Sequence, residues 1–248
     1  MGTNSLRSVQ SSRIAACILY QRTDLQMGYQ WLNNRLKYVG LLLPYKLCVN
    51  LEALLRYPRI IRNYSEYMRE EWKQLSPYLP AQAVRTLDIG CGIGGINEFL
   101  YETYGVQLEE IFLVDKNKIE SRIHYGFRST SSAYNSLSLA KSYLVNRGVS
   151  KEVIHTVDVD KEILPKDITF DVILSLQSWG FHYPVQTYLD YAKQHLARRG
   201  VLIIDCRKGT DAMETLERHF AVSVIDDKPK CIRVSCQHKT RKLQSPLT

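Results

Sequence analysis

The sequence predicts an α/β fold: a doubly wound parallel sheet preceded by a helical region. Three observations carry this expectation. From Val84 onward, short apolar runs alternate with stretches of helical periodicity, the pattern of strands joined by crossover helices. The first run leads straight into a glycine-rich turn, Gly90-Cys91-Gly92-Ile93-Gly94-Gly95. The last two runs are joined by Asp226-Asp227-Lys228-Pro229, too short for a crossover, so they should form an antiparallel hairpin.

Residues 1–80 read as helices that cap or cover the sheet. Trp31, Leu32, Leu36, Val39 and Leu42 recur at near-helical spacing, as do Leu51, Leu54, Leu55 and Ile61. A further helix over 65–79 should end at Ser76-Pro77 and Pro80. Residues 81–238 form the α/β domain. Strands are expected at 84–89, 110–114, 153–157, 170–176, 200–205, 221–225 and 231–236. Helices are expected from the glycine turn to Tyr104 and over 131–146, 185–197 and 211–219. Residues 239–248 make a basic tail, expected to fray.

The chain of 248 residues is long enough for one large core with an accessory layer. Its net charge of +8 suits an anionic partner, whether nucleic acid, a phosphorylated sugar or a membrane surface, without choosing among them. Residues 1–80 hold eleven Lys/Arg against five Asp/Glu, so most of the excess lies there. Six cysteines show no CxxC pair and no zinc spacing, and no metal site is expected. Free thiols and the polar start of the chain agree with a cytoplasmic protein. The most apolar stretch, Tyr38–Leu55, is interrupted by Lys46, Asn50 and Glu52 and should pack as a helix rather than span a bilayer.

The glycine turn can be read two ways. Gly90, Gly92 and Gly95 satisfy GxGxxG; Gly90, Gly92 and Gly94 satisfy GxGxG. Either way, glycine lets the chain turn sharply and a ligand approach bare backbone. Asp88, two residues before Gly90, separates the readings. A carboxylate there would repel a pyrophosphate and suits a ligand that carries positive charge. Asp115 ends the second strand and can accept hydrogen bonds from both ribose hydroxyls. Asp158 ends the third strand, with Val159 beside it, within reach of an adenine amine. Each aspartate alone reads equally well as a turn or helix-cap residue. Three acids ending three successive strands favour a nucleoside site, because such sheets bind ligands at strand carboxyl ends.

Residues 84–95, an apolar run followed by Asp-x-Gly-x-Gly-x-Gly, resemble the first motif of class I S-adenosylmethionine-dependent methyltransferases. Asp115, Val157-Asp158-Val159, the run Phe170–Ser175 and the run Gly200–Ile204 resemble that family's later segments, in order, so the likeness covers about 84–237. It implies a Rossmann-like, seven-stranded sheet with an antiparallel last strand, and S-adenosyl-L-methionine as cofactor. The cofactor residues it implies are Asp88, Gly90, Cys91, Gly92, Gly94, Asp115, Lys116, Asp158, Val159, Ser175 and Leu176. The long link 116–154, with Arg128-Ser129-Thr130-Ser131-Ser132, departs from the pattern.

In this family the segment after the fourth strand faces the methyl group. Here it is Gln177-Ser178-Trp179-Gly180-Phe181-His182-Tyr183-Pro184, expected as a structured loop. It lacks the Asn/Asp-Pro-Pro-Tyr/Phe motif of nucleic-acid amino methyltransferases. His182 is the candidate general base for an oxygen acceptor, or else a histidine that braces the loop. Trp179 and Tyr183 would line the acceptor pocket or cover the sheet. The reading favoured is a methyltransferase acting on a hydroxylated small molecule such as a sugar or secondary metabolite. RNA or nucleotide-linked acceptors are the alternative, not favoured because no RNA-binding module is visible. A third reading is a cofactor-binding protein without catalysis.

Overall fold

The computed structural model describes residues 2–26, 42–117 and 135–239. The expected helical spacing around Trp31–Val39, the Arg128–Ser132 run and the tail beyond Lys239 lie outside these residues. Two helices come first: α1 (Gly2–Gln21) and α2 (Leu42–Leu75). The α/β region follows as β1 (Arg85–Ile89), α3 (Ile96–Tyr104), β2 (Glu110–Asp115), α4 (Leu137–Asn146), β3 (Ile154–Asp158) and β4 (Phe170–Ser175). It continues with β5 (Ser178–Tyr183), α5 (Gln186–His195), β6 (Leu196–Arg207), α6 (Ala212–His219), β7 (Phe220–Asp227) and β8 (Cys231–His238).

The seven-stranded sheet has the order β3-β2-β1-β4-β6-β8-β7. Strands β3, β2, β1, β4 and β6 are parallel neighbours. β8 runs antiparallel between β6 and β7. The order reverses between β1 and β4, so their carboxyl ends open a crevice at the switch point. The expected α/β fold, its parallel centre and its antiparallel last strand are all present.

Period-two alternation sorts the sheet residues onto two cores. Ile111, Leu113, Val201 and Ile203 face one core, shared with α1, α2, α3 and α4. Phe112, Val114, Leu202 and Ile204 face the other, shared with α5 and α6.

The structure departs from expectation at four places. Residues 51–61 and 65–79 do not make separate helices: α2 is one helix of 34 residues running through Pro58, followed by a 3-10 turn at Ser76–Tyr78. Proline removes one helical hydrogen bond, and packing against α1 and α3 holds the helix together. Leu51, Leu54 and Leu55, expected to face a core, are more than half exposed. The segment after β4 is extended, as β5, rather than a loop. Residues 198–199, expected to link a helix to a strand, are instead an irregularity within β6: Phe170 pairs with Leu196, but Val172 pairs with Val201. Gly200 is required there, since a Cβ would lie 2.9 Å from the Phe170 carbonyl oxygen.

One buried charge cluster joins the helical region to the sheet. Arg233 of β8 is wholly buried. Its Nε and Nη2 donate to Asp205 Oδ1 and Oδ2 of β6, at 2.6 and 2.9 Å. Its Nη1 donates to Glu71 of α2, which also accepts from Lys228 Nζ at 2.9 Å. Burial would raise the Glu71 pKa, but the Arg233 guanidinium and Lys228 outweigh it and hold it down to about 2. The cluster is fully satisfied, and breaking it would leave a buried charge unpaired. Arg233→Ala should therefore cost about 3–5 kcal/mol of stability, read from urea unfolding. Glu71→Gln should cost less, because the bidentate pair with Asp205 survives. Equal losses in both variants would show that the pair and the helix contact are not separable.

Candidate cofactor site

The glycine turn leaves β1 at the switch point. Gly90, Gly92 and Gly94 have φ of +73°, +56° and +76°, a region that L side chains rarely adopt. Space reinforces the requirement. A Cβ on Gly90 would lie 1.8 Å from Ser178 Oγ, and one on Gly92 would lie 2.5 Å from Gln21 Oε1. The turn is thus a close-packed cradle, with β5 on one flank and the end of α1 on another.

The turn's N–H groups are engaged within the chain. Gly92 donates to Asp115 Oδ2 at 2.9 Å, Ile93 to Gln21 Oε1 at 3.2 Å and Gly95 to Tyr64 Oη at 3.2 Å. Gly90 and Cys91 both donate to the Val114 carbonyl. Asp115 also accepts from Lys116 N at 2.7 Å and Asn135 Nδ2 at 3.0 Å. Asp88 is buried beneath the turn and accepts from Asn97 Nδ2 at 2.7 Å. Asn97 Oδ1 is buried without a donor.

Both carboxyls are harder to ionise than usual. Burial pushes Asp88 up to about 7, opposed by the Asn97 hydrogen bond and reinforced by Asp115. Burial likewise pushes Asp115 up to about 6, opposed by the Gly92, Lys116 and Asn135 hydrogen bonds. The Cys91 thiol, between the two, is raised well above its ordinary value by burial and by both carboxylates, so it is no nucleophile near neutral pH.

The other expected residues divide. Lys116 is at the site through its backbone, while its Nζ pairs with Asp160 at 3.5 Å. Asp158 lies level with Asp115 across the sheet, but its carboxylate accepts from Asn117 N and Asp160 N and pairs with Lys161 at 3.0 Å. In these contacts it caps the turn after β3. Val159 N donates to the Asp115 carbonyl. Ser175, expected at the cofactor, is wholly buried: its Oγ donates to the Ile89 carbonyl at 2.9 Å and accepts from Trp179 N at 2.9 Å. Leu176 packs against the first core.

Trp179, read from the sequence as lining an acceptor pocket or covering the sheet, is wholly buried, with its indole N–H on the Val185 carbonyl at 2.7 Å. The strand alternation of β5 turns it into the second core. Tyr183 also packs there, and its hydroxyl lies 3.5 Å from Ser178 Oγ, beside Gly90. Burial raises its pKa, so it is a hydrogen-bond donor rather than a base. His182 is partly exposed, edge-on to Phe181 at 4.8 Å.

Sequence reading missed four contributors. Gln21 and Asn135 hold the turn, and Gln21 Nε2 lies 3.4 Å from Asn135 Oδ1. Arg22 donates to Gln177 Oε1 and lies over the Tyr67 ring, 4.9 Å from its centroid. Among the described residues, Gln177 is the non-glycine residue at positive φ, +54°, held by its N–H on Asp205 Oδ2 at 3.0 Å. A non-glycine residue in this conformation is sustained only where its surroundings over-determine it. No motif marks Gln21, Arg22 or Asn135; the position of Gln177 after β4 was the available signal.

No family model matches the sequence, and no curated protein matches it. Solved structures do resemble it. Precorrin-6y C5,15-methyltransferase from Geobacter metallireducens GS-15 is 14% identical, covering 70% of this chain and 88% of that one, with a TM-score of 0.48. The N-methyltransferase NodS from Bradyrhizobium japonicum WM9, in complex with S-adenosyl-L-homocysteine, is 14% identical over 72% of this chain and 87% of that one, TM-score 0.48. A TehB-like methyltransferase from Corynebacterium glutamicum is 17% identical over 73% and 100%, TM-score 0.44. Likeness at this level leaves activity and substrate to be argued from the site.

The raised Asp88 pKa has a thermodynamic consequence. Its ordinary value is near 3.9, so between about 4 and 7 the folded protein binds more protons there than the unfolded chain. Stability from this group is greatest below that window and falls as pH rises through it. Replacing Asp88 by Asn should remove the effect. The unfolding free energy of the parent minus that of Asp88→Asn should drop by at least about 1.4 kcal/mol from pH 5 to pH 8. A flat difference would place the carboxylate in a solvated setting.

Proposed function

We propose that the chain is an S-adenosylmethionine-dependent methyltransferase acting on a hydroxylated small molecule. The observation that carries this is the use of the turn's donors. In a dinucleotide site, free N–H groups at the helix start receive a pyrophosphate. Here Gly92, Ile93 and Gly95 give theirs to Asp115, Gln21 and Tyr64. Two carboxyls flank the same turn. A phosphate would meet repulsion and few donors; a cationic nucleoside without phosphate meets favourable charge.

The residues present fit such a group. Asp88 would answer its positive charge from beneath the turn and Asp115 would take its ribose, with Ser178 and Gln21, which fill the space at Gly90 and Gly92, turning aside to admit it. Arg22 brings a guanidinium to the Gln177 end of the turn, a partner for an amino-acid carboxylate. Asp158 and Val159 wall the turn beyond Asp115. Bound there, the sulfonium supplies an electrophilic methyl carbon.

The chain's own tasks are then to orient the acceptor, exclude water and take a proton from its hydroxyl. The end of α1 covers the turn through Gln21, and the helical region 1–80 would act as the selecting lid of domain 81–238. His182 is the base proposed, as the partly exposed titratable side chain of β5. The reading without catalysis requires only the turn, and His182 separates the two.

Three outcomes test this reading. Asp88→Ala and Gly90→Val should each abolish S-adenosylmethionine binding in calorimetry while far-ultraviolet dichroism stays native; retention of affinity in both overturns the assignment. Affinity of the parent protein should rise about tenfold from pH 6 to pH 8, as Asp88 and Asp115 ionise through about 7 and 6 and gain attraction for the cation. His182→Ala should lower turnover at least about a hundredfold with cofactor affinity little changed.

A further inference from the structure

The glycine turn is filled from two sides by groups that a ligand must displace. Ser178 occupies the space over Gly90: its Oγ and Cβ would lie 1.8 and 2.4 Å from a Cβ built there. Rotating the side chain moves Oγ but leaves the Ser178 Cβ where the backbone holds it. Gln21 fills the space over Gly92 with Oε1, the far end of a flexible side chain. Ser178 is therefore the stiffer obstruction, and clearing it requires a change in the backbone beside it.

That backbone is Gln177, whose φ of +54° costs free energy in an L residue. Its N–H donates to Asp205 Oδ2 at 3.0 Å, and its Oε1 accepts from Arg22 Nη1. The flanking residues are anchored. Ser175 and Trp179 are wholly buried and joined to each other, Ser175 Oγ accepting from Trp179 N at 2.9 Å. Leu176 packs against the first core. Gln177 and Ser178 thus form a short crest between fixed neighbours. The crest is tied to the other obstruction as well. Arg22 directly follows Gln21, whose Oε1 accepts the Ile93 N–H at 3.2 Å.

We propose that Gln177 is a latch on the glycine turn. With the Arg22 contact made, Gln177 stays left-handed, and Ser178 and Gln21 fill the turn. With it broken, Gln177 relaxes toward an ordinary φ, Ser178 withdraws from Gly90, and the end of α1 is released together with Gln21. The closed form competes with the ligand, so contacts made only in the closed form lower the apparent affinity. Gln177 is a positioning residue, acting through Ser178 and Arg22. The identity of the ligand rests on the cofactor reading above; the latch is a property of the cofactor-free chain.

The test has a binding arm and a cofactor-free arm, both on the full chain. Binding of S-adenosyl-L-homocysteine is followed by stopped-flow fluorescence. Its thioether carries no charge, so an added carboxylate acts on the latch rather than on a sulfonium. Gln177→Gly keeps the left-handed backbone without strain and removes Oε1. It should speed association at least about threefold, with dissociation little changed and the melting temperature near the parent's. Ser178→Gly, which removes the obstruction itself, should act in the same direction. Gln177→Glu turns the Arg22 contact into an ion pair and should slow association at least about threefold. A side chain that only touched the bound ligand would change dissociation instead. Without cofactor, Arg22→Ala should lower the hydrogen-exchange protection of the Gln177 N–H at least about tenfold while the Trp179 N–H keeps its protection. Shifts of the same sign in Gln177→Gly and Gln177→Glu, changes confined to dissociation, or unchanged Gln177 protection in Arg22→Ala overturns the proposal. If the parent binds no S-adenosyl-L-homocysteine, the cofactor reading fails and the exchange arm alone decides the latch.

Discussion

Arg233 holds together parts of the chain that are far apart in sequence. A guanidinium at zero exposure must have every charge around it answered, or the fold could not tolerate it. Asp205 answers it from β6 and Glu71 from α2. The second partner is what fixes the helical region against the sheet. The first does more. Asp205 Oδ2 also accepts the Gln177 N–H, so the same charge pair clamps the residue after β4 into its left-handed conformation. Gln177 in turn receives Arg22, at the end of α1. A chain of polar contacts thus runs from β8, beside the edge strand β7, to Arg22, the neighbour of Gln21 at the cofactor turn.

That chain explains why the turn is enclosed by elements that carry no recognisable motif. Glycine at positions 90 and 92 makes room, and Ser178 and Gln21 occupy the space so created. Once the turn is enclosed, its carboxyls are desolvated. Desolvation, not mutual repulsion, is the largest cause of the raised pKa at both Asp88 and Asp115. A buried carboxyl that ionises only with difficulty gains more from an incoming cation than an exposed one, because the competing solvation has already been lost. Selectivity for positive charge follows from packing as much as from the presence of two acids.

The sheet was legible because apolar alternation and glycine spacing are local signals. The order of strands, the glycine turn and the terminal hairpin all followed from runs a few residues long. The spacing patterns over 51–61 and 65–79 are local signals that do not show whether they join; packing against α1 and α3 carries one helix through both, and through Pro58. Ser175 and Trp179 show what position in the chain leaves open. Position after the fourth strand indicates which segment lies near a ligand, but not which way each side chain points. Strand alternation in β5 sent Trp179 into the core, and its arrival there required the Ser175 hydroxyl. Asp158 shows the limit of strand-end acids as a signal, since its carboxylate satisfies the turn it begins. Gln21, Asn135 and Arg22 were illegible because their roles depend on contacts across as many as 155 residues.

α1 adds a directional element to this arrangement. Its C-terminal end reaches the turn through Gln21, and a helix carries partial negative charge at that end. This adds to Asp88 and Asp115 rather than opposing them. Arg13 lies two turns back along the same helix, and Arg22, just beyond its end, turns to Gln177. At the end of the helix, carboxyls and the helix terminus favour a cation; along its flank, Arg13 carries a positive charge about two turns away. Because Coulomb attraction between solvated charges is damped over about a Debye length, roughly 8 Å at physiological salt, sites separated by two helical turns can keep distinct preferences. The excess positive charge of residues 1–80 is thus compatible with a cation-seeking turn only a few residues away.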